Sequence, residues 1–108
     1  MSLEYKQLAQ VRATDTNPTF LYSSGVGETV LIELVIVNTT VDDVAVRIFH
    51  DNDGTTYDES TAIRWDFIIE AGLFLPIKIK MDNSAGNLAY RTATANALTA
   101  TVYGIVKT

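Results

Sequence analysis

The chain has no cysteine, and only one histidine, one tryptophan and two prolines among its 108 residues. Without cysteine there is no disulfide framework, no thiol nucleophile and no thiolate metal site. A single histidine, His50, leaves little for proton transfer near neutrality. Cations are scarce too: eight Lys and Arg stand against thirteen Asp and Glu, for a net charge of -5. Binding along a phosphate backbone needs clustered cations that release counterions, so nucleic acid is not an expected partner. The purest apolar run, Leu34-Val35-Ile36-Val37, falls far short of the roughly 20 residues that span a bilayer, so no membrane segment is expected. The opening Met1-Ser2-Leu3-Glu4-Tyr5-Lys6-Gln7 lacks a basic stretch followed by an apolar one, and no secretory signal is expected.

What is present is a composition able to build a core, 47% hydrophobic and 19% charged. The length suits one domain, expected over residues 1–108 with a short N-terminal arm over about 1–18. Apolar residues recur with period two in segments rich in Val, Ile, Thr, Tyr and Phe, which suit a pleated, half-buried surface. Strands are predicted over 5–11, 19–23, 29–38, 44–50, 63–68, 73–81, 88–94 and 98–107, separated by turns such as Asp15-Thr16-Asn17-Pro18. Glu70-Ala71-Gly72 reads as a hairpin turn. A helix over 61–71 would mix Asp66 and Glu70 with its apolar residues, so a strand is preferred there. The fold class is therefore all-β: an antiparallel β-sandwich, jelly-roll-like, of about eight strands without substantial helix. Inward positions are predicted at Ile32, Leu34, Ile36, Val46, Ile48, Trp65, Phe67, Leu75, Ile77, Ile79 and Val102.

Few constellations carry chemistry. In the loop 51–59, Asp51, Asp53 and Asp58 are secondary candidates for a calcium ion, because alternating carboxylates followed by Gly54 can wrap a hard cation. The spacing departs from an EF-hand loop, where glycine is sixth and a bidentate Glu twelfth. The preferred reading is a turn whose carboxylates accept backbone amides while Gly54 takes a positive φ. His50 beside Asp51 has no nucleophile context such as G-x-S-x-G, and the acidic pairs Asp42-Asp43 and Asp58-Glu59 fall in turns. No catalytic residue, cofactor or obligatory metal is expected, and the chain reads as non-enzymatic. Trp65 with Tyr22, Tyr57, Tyr90 and Tyr103 would form a sugar-stacking platform if they were exposed together, but Trp65 is assigned to the core with Ile63 and Phe67.

The strand over 29–38 is apolar on both faces: Val30, Ile32, Leu34 and Ile36 on one, Leu31, Val35 and Val37 on the other, with Glu33 the only charge. Sandwich strands ordinarily have one wet face, so the second dry face calls for a cover, either the chain's own N-terminal arm or another subunit. Tyr5, Leu8, Val35 and Val37 are the first interface candidates, followed by Phe74 and Ile105.

The order of features is itself informative. Leu8-Ala9-Gln10 stands in the N-terminal segment, Phe20-Leu21-Tyr22 precedes a glycine turn, and a long apolar strand closes on Asn38. Val46-Arg47-Ile48, Asp53-Gly54-Thr55-Thr56-Tyr57, Thr61-Ala62-Ile63 and Tyr103-Gly104-Ile105-Val106 follow in step. Over nearly its whole length the chain resembles a group of small tailed-phage virion structural proteins. The resemblance implies a capsid decoration (cement) protein on the capsid surface, made in the host cytoplasm, with the major capsid protein as partner and self-association as a homotrimer. Its alternative is a tail- or fibre-associated structural protein or a carbohydrate-binding adhesin module.

Overall fold

The computed structural model describes residues 2–108, which form eight strands and no helix. They are β1 (Leu3–Arg12), β2 (Thr19–Tyr22), β3 (Thr29–Asn38), β4 (Val44–Asp51), β5 (Ala62–Ile69), β6 (Phe74–Met81), β7 (Asn87–Thr92) and β8 (Leu98–Lys107). Two four-stranded sheets result, in the orders β1-β8-β3-β6 and β2-β7-β4-β5. Every pairing is antiparallel. The only strands consecutive in sequence that pair are β4 and β5, so the other connections cross between the sheets. The turn at Glu70-Ala71-Gly72 is thus a crossover and not the expected hairpin. Leu73 N–H closes it on the Glu70 carbonyl at 3.0 Å, and Gly72 takes φ 74°, a left-handed value that favours glycine.

The core lies between the sheets and follows from period two. From the first sheet come Val30, Ile32, Leu34 and Ile36 of β3, Ile77 and Met81 of β6, and Leu98, Ala100, Val102 and Val106 of β8. The second supplies Leu21, Val44, Val46, Ile48, Ile69, Leu88 and Tyr90. Leu75 and Ile79 are partly buried against this cluster. Two polar side chains join the layers. Tyr90 of β7 is fully buried and its hydroxyl accepts the Ala13 N–H at 2.8 Å, with the Val11 and Leu98 carbonyls at 2.9 and 3.2 Å. Asn38, at the end of β3, is equally buried and donates to the carbonyls of Asp42 and Ile69 at 2.8 and 2.9 Å.

Trp65 and Phe67 do not occupy the core: they are 41% and 43% exposed. The pairing of β5 with β4 shifts twice, between Val46 and Ile48 and between Ile48 and Phe49, and Asp66 adopts φ 51°. Each extra residue on β5 turns the following side chains to the other face, so strict alternation through 63–67 fails. β5 is also the outer strand of its sheet, where little lies across from it to cover large side chains.

The N-terminal segment is a full edge strand on β8 and covers neither outer face. Alternation from Tyr5 and Gln7, which face out, turns Leu8 inward against the core and removes it from the interface candidates. A bulge between Gln7 and Ala9 then reverses the faces, so that Ala9 also packs inward and Gln10 faces out. Gly104 makes room for it, since a Cβ there would stand 2.5 Å from Leu8 Cδ1.

Candidate functional site

Alternation within the first sheet, combined with its register, builds one continuous outer face. Successive rows across β1, β8, β3 and β6 read Tyr5, Ile105, Leu31, Lys80; Gln7, Tyr103, Glu33, Lys78; Gln10, Thr101, Val35, Pro76; and Arg12, Thr99, Val37, Phe74. Five of the six interface candidates, Tyr5, Val35, Val37, Phe74 and Ile105, therefore share this face. Tyr5 is 76% exposed, Phe74 62% and Leu31 52%. Pro76 has no N–H to donate and is accommodated because β6 lies at the sheet edge. Between Tyr5, Leu31, Tyr103 and Lys80 the surface sinks into an open concavity of about 810 Å³.

Lys78 and Lys80 escape the sequence reading, and Leu31 and Tyr103, though noticed there, are not among its interface candidates, although each of the four shares strand parity with a residue that was singled out. The missing information is the pairing of β8 with β3 and of β3 with β6, between segments far apart in the chain.

The loop after β4 has a different use. Asp51 accepts the amides of Thr56 at 2.8 Å and Asp53 at 3.2 Å, and these bonds, Thr56 first, hold its carboxyl below the usual carboxylate range. Asp58 accepts the Ser60 hydroxyl at 2.5 Å and the Ser60 amide at 2.8 Å, with the same lowering effect. Among the described residues, no three His, Asp or Glu side chains converge as a metal site. The positive-φ glycines are Gly27 and Gly72, so Gly54 does not take the expected left-handed conformation. The loop folds over the outer face of the second sheet, where Phe49 is buried with the Tyr57 ring centroid 6.0 Å away.

Trp65 stands on that same face, edge-on to Phe49 at 6.4 Å. The Arg47 guanidinium lies 3.7 Å from the indole centroid, a cation–π contact, while its Nε donates to Asp66 Oδ1 at 2.7 Å. That bond to Arg47 keeps Asp66 ionised at a lower pH than a free carboxyl. Tyr90, another member of the imagined aromatic platform, is fully buried, so the platform does not form. His50 is half-buried at one end of the sandwich, with Nε2 enclosed and unpaired in the structure.

No protein family, curated protein or solved structure matches the chain.

Asp51, Asp58 and Asp66 share one sign. Their carboxyls titrate lower in the fold than in the unfolded chain, where an Asp titrates near about 3.9. Their contribution to stability is present above that value and is lost as pH falls through the folded values. The melting temperature should therefore hold from neutrality down to about pH 5 and drop below about pH 4. Asp51→Asn should lower the neutral melting temperature and make the acid limb shallower. An acid limb unchanged in that variant would remove Asp51 from the account.

Proposed function

We propose that this protein is a non-enzymatic virion structural protein, a capsid decoration protein that binds the major capsid protein of a tailed phage as a homotrimer. The observation that carries the reading is the outer face of the first sheet, where Tyr5, Leu31 and Phe74 are exposed on a rigid four-stranded platform. Contiguous exposed apolar surface on a small domain marks an interaction site, since water solvates it poorly. The strand orders, with β1, β8, β3 and β6 stacked on β2, β7, β4 and β5, support reading the sandwich as a jelly roll. Carboxylates spent on backbone amides in the loop 51–59 favour a structural role over a catalytic one there.

Co-sedimentation with assembled capsid shells tests this reading. The protein should pellet with shells to saturation, and Val35→Asp, which puts a carboxylate in the middle of the face and so weakens the self-association that multiplies shell contacts, should reduce it. Recovery in the supernatant at every shell concentration would overturn the reading. The 41% exposure of Trp65 favours a second one, an adhesin module that stacks a sugar on the indole. A glycan-array signal lost in Trp65→Ala would establish it, and a silent array is the expected result.

A further inference from the structure

Charge is distributed unevenly over the molecule. The outward strand positions of the first sheet hold Arg12, Lys78, Lys80 and Lys107, half of the chain's eight cations, and one of its thirteen acids, Glu33. The loop 52–59 is the reverse, with Asp53, Asp58 and Glu59 exposed and no Lys or Arg. Tyr57 anchors this loop on Phe49, so it is carried on the outer face of the second sheet, opposite the cationic one. One chain thus presents on one side a concavity lined by Leu31 and Tyr103, with Lys78 and Lys80 against the single acid Glu33. On the other side it carries a loop with three exposed carboxylates, of which Glu59 lies near Arg47 while Asp53 and Asp58 carry the projection's charge.

We propose that the outer face of the β1-β8-β3-β6 sheet receives the acidic loop 52–59 of a second copy, in a head-to-tail contact. This rests on the reading of that face as an interface and names its occupant. Charge complementarity selects the loop: a face meeting its own kind would oppose four cations to four cations, whereas the loop brings carboxylates to Lys78 and Lys80. The concavity of about 810 Å³ is of a size to admit the side chains of a short loop, with Leu31 and Tyr103 as its apolar lining. A contact between two different patches does not stop at a two-fold pair, as a patch that binds itself does.

Sedimentation velocity over a concentration series into the hundreds of micromolar tests the contact. The wild type should associate at low salt and dissociate toward the 11.9 kDa monomer at about 1 M salt, where screening shortens to about 3 Å. Lys78→Glu with Lys80→Glu should lose association, and so should Asp53→Lys with Glu59→Lys, each remaining folded by circular dichroism. Mixing the two variants should restore it, since each face then finds a loop of opposite charge. Association that survives the loop reversal, or a mixture that stays monomeric, would overturn the head-to-tail contact. A wild-type monomer at every concentration that still pellets with shells would also overturn it while leaving the decoration reading in place.

Discussion

Replacing Tyr90 by alanine should cost about 3–5 kcal/mol, the range for removing a large buried aromatic. That is a large part of the roughly 5–15 kcal/mol that holds a small domain together. Tyr90 is fully buried in β7, and its ring lies within the cluster shared by both sheets. The hydroxyl adds a second effect, separable from the first. It accepts the N–H of Ala13, itself buried, and lies within hydrogen-bond distance of the Val11 and Leu98 carbonyls of the facing sheet. Tyr90→Phe keeps the ring and leaves these groups short of a partner, which should cost about 1–3 kcal/mol. Burial also raises the phenol's pKa, so the hydroxyl stays protonated and able to donate throughout the neutral range. Denaturant midpoints of both variants check the pair of values. A Phe variant as stable as the wild type would show that the hydroxyl contributes nothing net.

Asn38 should be the most sensitive polar position. Its amide nitrogen donates to the Asp42 and Ile69 carbonyls, and its oxygen accepts the Thr40 amide at 3.0 Å and the Thr40 hydroxyl at 2.8 Å. One side chain thereby closes the turn after β3 and ties the first sheet to the end of β5 in the second. Asn38→Ala should cost about 1–3 kcal/mol for each buried group left unpaired. Asn38→Asp tests the chemistry more sharply, because it nearly preserves shape and places a buried carboxylate against two carbonyl oxygens. Such a carboxyl is held above its unfolded pKa, so its contribution is present at low pH and lost as pH rises. The Asp variant should therefore approach the wild type in stability below about pH 4 and fall behind toward neutrality. A deficit that does not vary with pH would argue against the two donated bonds.

Asn38 also shows where sequence reading stops. Its position at the close of the apolar strand is legible, but its carbonyl partner Ile69 lies 31 residues away, and nothing local announces the bond. The same holds for Tyr90, which one reading of composition would place on an exposed aromatic platform.

Period-two alternation alone determined the all-β class, the eight segments, and the buried face of β3, β6 and β8, because each strand's side chains alternate whatever it pairs with. The excess of apolar residues on both faces of β3 likewise marked a surface needing a cover before any partner strand was known. Only the tertiary structure decided which strands stand side by side, and so gathered Tyr5, Ile105, Leu31 and Lys80 into one row. It also decided the exposure of β5, where register shifts bring Trp65 beside Phe49 and Arg47 and the edge position leaves Phe67, paired with Val46, uncovered. The physical reason is common to all of these. Alternation is a property of one strand's own backbone, whereas register, bulges and edge position depend on a neighbouring strand that arrives from elsewhere in the chain.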